Sequence, residues 1–244
     1  MKIFKILLFI FSLQLHSANL QIIILRHGEK TSNLDNNYLS DLGYLRASTI
    51  GEYLPTSGLL KHTNIIVWAE SPAMIQGSMR PILTASPLQN QLKIANEKQP
   101  PLKEIPDNQI GAEIASLNKM SAGQTIVIFW EHQEIITQIV KSLKETFLWT
   151  SSLGIPVSKW PSNDFYSILI FEIETAKTTT RKGIITKFKE ENQNRLFSNP
   201  PSMPTNFWGA VNDLESNVKN KPFFSINDVL ALLKSKENKK AKSF

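Results

Sequence analysis

The chain has 244 residues, 41% of them hydrophobic and none of them cysteine, with a formal net charge of +6. This length and apolar content suit one globular domain and exclude a collagen, a coiled coil or a largely disordered chain. Without cysteine there are neither disulfides nor thiolate metal sites. Much of the positive excess lies in the C-terminal run KSKENKKAKSF, which is typical of a solvated chain end and predicts no nucleic-acid partner.

The first 18 residues are predicted to be a secretory signal peptide. Lys2 and Lys5 precede the apolar run ILLFIFSLQL, and Ala18 supplies a small residue near its end. The run is too short to span a bilayer as a mature helix. A buried first strand or helix and an uncleaved anchor are the alternatives. We therefore expect residues 19–244 to be an exported protein, periplasmic or secreted, without a stable membrane span.

Strands and helices are predicted to alternate along the next part of the chain. The apolar runs IIIL, NIIVWAES, TIVIFW and DFYSILIFEIE predict strands at 22–25, 64–71, 125–130 and 164–174. Between them, helical periodicity or helix-start residues predict helices at 39–54, from Arg80-Pro81, from about Gly111 and at 133–147. This alternation predicts a layered α/β domain.

The segment after residue 175 has a different character. RKGIITKFKEE at 181–191 is predicted to pair with the strand at 164–174 as a hairpin at the sheet edge. FSNPPSMPTNFWG at 197–209 reads as a loop, and SINDVLALLKSK at 225–236 predicts a short terminal helix. We expect a core at about 21–175 with the hairpin, loop and helix appended to it.

Two histidines directly follow apolar strands. Of the four histidines, His16 lies in the predicted signal peptide and His62 in a polar stretch, whereas His27 and Glu131-His132 come at strand ends. Arg26 adjoins His27, and Arg80 opens a helix. Because ligands of open α/β sheets bind beyond the carboxyl ends of the strands, these residues stand where a site is expected.

Histidine with arginine is a combination suited to phosphoryl chemistry. A neutral imidazole attacks phosphorus to form phosphohistidine, and guanidinium groups bind phosphate oxygens through forked hydrogen bonds. A metal site is the alternative use of two histidines, but neighbouring arginines repel a cation. We therefore expect no metal and no cofactor. Polar residues that merely cap a strand or helix are the other alternative.

At this point the sequence resembles the histidine phosphatase superfamily, whose fold is that of the phosphoglycerate mutases. Its first block is an Arg-His-Gly at the end of the first strand, present here as Arg26-His27-Gly28 followed by Glu29. Its second block matches the helix at 39–54, with Gly43, Arg46 and Ala47 in register. The resemblance covers about residues 21–175 and implies a three-layer α/β/α sandwich around a mainly parallel sheet.

Two further blocks occur in the same order. The third block is matched by Arg80, Thr84 and Ala85. In the family a Ser-Pro pair precedes this arginine closely, whereas here Ser71-Pro72 lies several residues further upstream, as if the loop were lengthened. The last block is matched by His132 in a Trp-Glu-His form, with Gln133 where many members have glycine. This form resembles a poorly described bacterial branch of the superfamily.

The resemblance also implies roles for individual residues. His27 is the expected nucleophile, and Arg26, Arg80 and His132 are expected to bind the phosphoryl group. Asn33 lies six residues after His27, where some members carry a phosphate-binding asparagine.

The proton donor is less well defined. Glu104, in Leu102-Lys103-Glu104, fits the spacing of one branch's donor, and we expect it to be the catalytic acid. Another branch uses an aspartate directly after the last histidine, a position occupied here by Gln133. Glu131 and Glu134 flank that position and are the alternatives, and a phosphohistidine or phosphoramidate substrate would need less help from an acid.

The expected activity is that of an exported, cofactor-independent phosphomonoesterase of the histidine acid phosphatase type, acting on a phosphorylated small molecule. The alternative is a weak or inactive pseudophosphatase that binds phosphate or a partner. We expect Arg46 to be a structural residue, at the surface or in a salt bridge, and Trp130, Trp149 and Trp160 to belong to the core.

Overall fold

The computed structural model describes residues 18–30, 37–72, 78–119, 123–150, 153–154, 159–175 and 181–193. The predicted signal peptide up to residue 17, Asn33, the loop at 197–209 and the terminal helix at 225–236 lie outside these ranges. None of the described helices is long and apolar enough to cross a membrane.

The described residues form one seven-stranded sheet with the strand order β3-β2-β4-β1-β6-β7-β5. Its strands are β1 (Ala18–Arg26), β2 (Asn64–Glu70), β3 (Lys103–Ile105), β4 (Gln124–Trp130), β5 (Leu148–Trp149), β6 (Ser167–Thr175) and β7 (Ile184–Asn192). The pairs β1–β4, β2–β4, β2–β3 and β5–β7 are parallel, and β1–β6 and β6–β7 are antiparallel. The predicted mainly parallel α/β sheet is confirmed.

The helices fall close to their predicted positions. They are α1 (Asp41–Tyr53), α2 (Arg80–Ala95), α3 (Ile110–Ser116), α4 (His132–Glu134) and α5 (Lys141–Thr146), with a π-helical stretch at Ile135–Val140 between the last two. Ser40 caps α1, because its hydroxyl accepts from the N–H of Gly43 at 3.1 Å. Pro81 lies in the first turn of α2, where its missing N–H costs no hydrogen bond.

Two short strands were not predicted. β3 has three residues and β5 has two, so neither contains enough residues to show an alternating pattern. The hairpin of β6 and β7 is confirmed as an antiparallel pair, but the edge of the sheet beyond β7 is occupied by β5. The hairpin was predicted to lie at the sheet edge, and it lies one strand in from that edge, beside the two-residue β5.

The core lies on both faces of the sheet, which explains why β1 is apolar without interruption. Ile23 and Leu25 pack with residues of α1 and α2, whereas Ile22 and Ile24 pack with residues of α3, α5 and the π-helical stretch. All four are fully buried, and burial of each such side chain contributes roughly 1.5–3 kcal/mol. Helices therefore cover both faces, as a three-layer α/β/α arrangement requires. Trp130 and Trp160 are buried in the cluster that contains Ile22 and Ile24, as predicted, whereas Trp149 is partly buried and packs against that cluster.

The neighbouring strands β1 and β4 end at the same level of the sheet. Arg26 pairs with Trp130 in the parallel register, and the N–H of His27 donates to the carbonyl oxygen of Trp130 at 3.1 Å. The backbone thus places His27 beside Glu131, although 104 positions separate them in the sequence.

Candidate active site

His27 is held in a fixed orientation at the end of β1. Its ring is buried, and Nδ1 lies 2.6 Å from the carbonyl oxygen of Gly28. Because a carbonyl only accepts hydrogen bonds, Nδ1 must carry the proton of that contact. Nε2 is thereby directed to the other side of the ring, where it lies 2.7 Å from Oε2 of Glu131. The edge of Phe165 packs against the ring at a centroid distance of 6.5 Å.

The backbone after His27 is hydrogen-bonded to α2 and lies close to the backbone of α1. The N–H of Gly28 donates to Oγ1 of Thr84 at 2.8 Å, and the same hydroxyl donates to the carbonyl oxygen of Arg80 at 2.7 Å. A Cβ at position 28 would lie 2.8 Å from the carbonyl oxygen of Gly43, and one at position 43 would lie 2.4 Å from that of Glu29. The backbone at Gly28 and Glu29 therefore lies so close to the backbone at Gly43 that only glycine fits at positions 28 and 43.

Arg46 forms a buried ion pair with Glu29. Its Nε donates to both carboxylate oxygens at 3.0 and 2.8 Å, and Nη2 donates to Oε1. Burial acts to lower the pKa of Arg46, but the hydrogen bonds and charge of Glu29 outweigh it and raise the pKa. The expectation of a salt bridge was correct, and the alternative of a surface position was wrong because Arg46 is fully buried.

Arg26 is held by a loop that the sequence did not link to the site. Its Nη1 donates to the carbonyl oxygens of Ser162 and Asp164 at 2.6 and 3.3 Å, and its guanidinium lies 3.6 Å from the ring centroid of Phe165. Nε is buried without a hydrogen-bond partner among the described residues. Burial lowers the pKa of Arg26 to about 10, so the group stays charged at neutral pH. Arg26 thus keeps a positive charge that acts on both Glu131 and His132.

The carboxylate of Glu131 lies at the centre of the constellation. Oε2 is 2.7 Å from Nε2 of His27 and 3.5 Å from Nη2 of Arg80. Oε1 accepts from the N–H of His132 at 3.2 Å and contacts Nδ1 of the same residue. We call these four nitrogen donors the anion site. Burial acts to raise the pKa of Glu131, but the hydrogen bonds and charges of His27 and His132 lower it well below its usual range.

The contact between His27 and Glu131 engages the atom of His27 that would attack phosphorus. Nδ1 donates to a carbonyl, so Nε2 is the ring atom left for attack. Nε2 shares a hydrogen bond with Oε2 of Glu131 at 2.7 Å. While that hydrogen bond lasts, Nε2 is directed at Glu131 and has no free lone pair for phosphorus. The nucleophile therefore becomes competent only after this contact is broken.

Several ionisable groups surround the anion site. Burial and the positive charge of Arg26 lower the pKa of His132. Burial and the charge of Glu134 raise the pKa of Glu70 to about 7, and its Oε2 accepts from the N–H of Glu131 at 3.0 Å. Burial and the proximity of Asp107 raise the pKa of Glu134 to about 7 as well. Two carboxyl groups next to the site are therefore partly protonated at neutral pH.

The same side chains have a geometry that a metal ion could use. One ligand atom each from His27, Glu131 and His132 lies within 4.8 Å of the other two. However, Nη2 of Arg80 is only 3.5 Å from the central carboxylate, and the charge of Arg26 also acts on it. Positive charges at these positions favour an anion over a metal cation.

The structure brings together four of the predicted site residues: Arg26, His27, Arg80 and His132. Glu104 does not join them. It is exposed on β3, level with Leu25 but three strand spacings away, or about 14 Å. Its role as catalytic acid stays a prediction, as does the role of Asn33. Glu131, predicted only as an alternative donor, contacts His27 directly.

Comparison with known proteins gives likenesses of structure only. No protein-family model and no curated protein sequence matches the chain. Among solved structures, the chain is similar to the protein histidine phosphatase SixA in complex with tungstate, at 13% identity and a TM-score of 0.41, with 72% of this chain and 99% of the other covered.

Two mycobacterial structures give comparable values. Mycobacterial hydrolase 1 matches at 12% identity and a TM-score of 0.37, with 71% of this chain and 97% of the other covered. Mycobacterial glucosyl-3-phosphoglycerate phosphatase with inorganic phosphate matches at 14% identity and a TM-score of 0.35, with 70% and 95% covered. Two of these three solved proteins are named as phosphatases. The likenesses are remote, so functional inference depends on the site itself.

Proposed function

We propose that the protein is a phosphatase that hydrolyses phosphomonoesters through a phosphohistidine on His27, without a metal or other cofactor. The observation that carries this proposal is the anion site, in which two imidazoles, a guanidinium and a backbone N–H converge on one carboxylate. Groups that bind a carboxylate in this way are also suited to phosphoryl oxygens.

The position of each group supports a specific step. Gly28 fixes the His27 tautomer so that Nε2, once deprotonated, attacks phosphorus while the bond from phosphorus to the leaving oxygen breaks. Arg26, Arg80 and His132 offset the negative charge of the transferring group. Water then attacks the phosphohistidine, the N–P bond breaks, and inorganic phosphate and free His27 result.

The alternative is an inactive phosphate-binding module. The observation that favours it is the hydrogen bond between Nε2 of His27 and Glu131, since the attacking atom is engaged while that bond lasts. The same donors would then bind phosphate without turnover.

One experiment separates the two functions. Hydrolysis of p-nitrophenyl phosphate is measured from pH 4 to 8 with EDTA present, for the wild type, His27→Ala and His62→Ala as a matched control. We expect activity in EDTA that is lost in His27→Ala and kept in His62→Ala, with an acid-labile, base-stable phosphate label on the wild type. Activity unchanged in His27→Ala would refute the mechanism, and a folded wild type that binds phosphate without hydrolysis would indicate the inactive module.

We also propose that the protein is exported, because a basic start and a short apolar run precede residue 19. The mass of the protein isolated from its native host tests this proposal, because cleavage of the signal peptide would remove the mass of residues 1–18.

A further inference from the structure

The most informative feature beyond the proposed function is that the chain's own carboxylate occupies the anion site. Glu131 uses both of its oxygens there, and its four donors include Nε2, the atom proposed to attack phosphorus. A phosphoryl group must come within bonding distance of Nε2. It cannot do so while Oε2 is 2.7 Å from that nitrogen, because the two groups would overlap. Substrate binding therefore requires Glu131 to leave.

Nε2 of His27 has one proton acceptor among the described residues. Nε2 must be unprotonated when it attacks, and Oε2 of Glu131 is the basic atom in hydrogen-bond contact with it. Nδ1 is bonded to a carbonyl, which does not take up a proton. Transfer to Glu131 also removes the charge that binds this side chain to Arg80 and His132. Proton transfer and release of Glu131 from the anion site are thus linked by electrostatics.

We propose that Glu131 is the acid–base catalyst of this site, and that it exchanges places with the phosphoryl group of the substrate. This proposal rests on the proposed phosphatase function. It assigns the catalytic acid to Glu131 in place of Glu104, which lies about 14 Å from β1.

The protons balance over one turnover. The proton shared by Nε2 of His27 and Oε2 of Glu131 leaves with Glu131, which gives a neutral imidazole and a carboxylic acid. Nε2 then attacks phosphorus, the P–O bond to the leaving group breaks, and Glu131 protonates the leaving oxygen. In the second half, the Glu131 carboxylate takes a proton from water as water attacks the phosphohistidine, and the N–P bond breaks. That proton returns to His27 as Glu131 re-enters the anion site.

The other nearby acids are less suited to this role. Glu70 is engaged with the backbone N–H of Glu131, and Glu134 accepts from the indole N–H of Trp130 at 3.1 Å. Their hydrogen bonds do not include His27. The charged and titratable groups that face Glu131 come from the end of β1 and the residue after it (Arg26 and His27), α2 (Arg80), α4 (His132 and Glu134) and β2 (Glu70).

The test combines two substrates with phosphate binding. Hydrolysis of p-nitrophenyl phosphate, whose leaving group needs little protonation, is compared with hydrolysis of glycerol 2-phosphate, whose alkoxide needs a proton. For Glu131→Gln we expect kcat/KM on glycerol 2-phosphate to fall by about 10²–10⁴-fold and that on p-nitrophenyl phosphate by much less. We also expect inorganic phosphate to bind about tenfold tighter or more by calorimetry, because the competing carboxylate is gone.

Two variants serve as controls. Glu145→Gln replaces an exposed carboxylate on α5. We expect it to change neither kcat/KM on the two substrates nor the affinity for phosphate. Glu131→Asp keeps the acid but shortens it by one methylene, so phosphate should bind tighter while the ratio of rates on the two substrates stays close to that of the wild type. This variant keeps the proposal testable if Glu131→Gln does not fold.

Either of two results would overturn the proposal. Equal losses on both substrates in Glu131→Gln would show that Glu131 does not protonate the leaving group. Phosphate affinity that is unchanged in both Glu131 variants would show that the carboxylate does not compete for the anion site. Failure of the phosphatase function itself gives a different result, namely no hydrolysis of either substrate by the wild type. The acid–base role then falls as well, and the phosphate titration still decides whether Glu131 competes for the site.

Discussion

Replacement of Arg46 by methionine should destabilise the protein far more than loss of an ordinary ion pair does. Arg46 is fully buried, the Glu29 side chain is only 14% exposed, and three hydrogen bonds join the two groups. Arg46→Met leaves the carboxylate buried without its partner. Breaking a buried pair in this way costs about 3–5 kcal/mol, whereas an exposed pair contributes about 0.2–1 kcal/mol. We therefore expect the free energy of unfolding to fall by about 3–5 kcal/mol.

Urea denaturation followed by circular dichroism provides the measurement. Lys141→Met is the matched control, because its ion pair with Glu145 spans 3.9 Å and both side chains are about two-thirds exposed. We expect that control to change the free energy of unfolding by less than about 0.5 kcal/mol. The double variant Glu29→Leu/Arg46→Met should regain part of the lost stability, because no charge is then left unpaired. A loss below about 1 kcal/mol in Arg46→Met would refute the reasoning.

Two further changes test the loop after His27 and the acids beside it. Thr84→Val removes the oxygen that accepts from the N–H of Gly28; this should cost about 1–3 kcal/mol in urea denaturation, and Thr84→Ser should retain most of that stability. Glu70→Gln keeps an oxygen for the N–H of Glu131 but cannot ionise. The free energy of unfolding of the variant minus that of the wild type should be larger at pH 8 than at pH 5. The increase should be at most about 3 kcal/mol, since one unit of pKa shift corresponds to about 1.36 kcal/mol.

The sign of the pH effect follows from the raised pKa of Glu70. Because this pKa rises from 4.5 to about 7 on folding, the folded state retains the proton while the unfolded state loses it. The stability of the wild type therefore falls as the pH rises through this window, and glutamine removes that contribution. An equal stability difference between variant and wild type at pH 5 and pH 8 would contradict the raised pKa.

For position 84, a Thr84→Val protein as stable as Thr84→Ser would show that the hydroxyl does not contribute to stability.

The parts of the site that could be predicted are those that follow long apolar strands. Arg26 ends β1, His27 follows it directly, and His132 comes two residues after β4, so the carboxyl ends of two central strands locate them. Arg80 was predictable because Pro81 marks the start of its helix. These signals are local and depend on the burial of each strand on both faces.

The parts that could not be predicted depend on contacts between distant segments. Arg26 bonds to carbonyl groups 136 and 138 positions away, in a loop with no periodic pattern. The burial of Arg46 depends on its pairing with Glu29, 17 positions earlier, after the chain has turned between β1 and α1. Glu131 flanks His132 in the sequence, but its contact with His27 appears only when β1 and β4 lie side by side.

The parallel register of β1 and β4 has a consequence for how the chemistry of such a site can change. The spacing between positions 27 and 131 is set by backbone hydrogen bonds, including that from the N–H of His27 to the carbonyl oxygen of Trp130. Side chains at positions 27, 131 and 132 can therefore be exchanged without altering the distance between the two backbones. A library of variants at these three positions would therefore keep the backbone spacing of the sheet. Its members would differ only in the groups that bind an anion or transfer a proton.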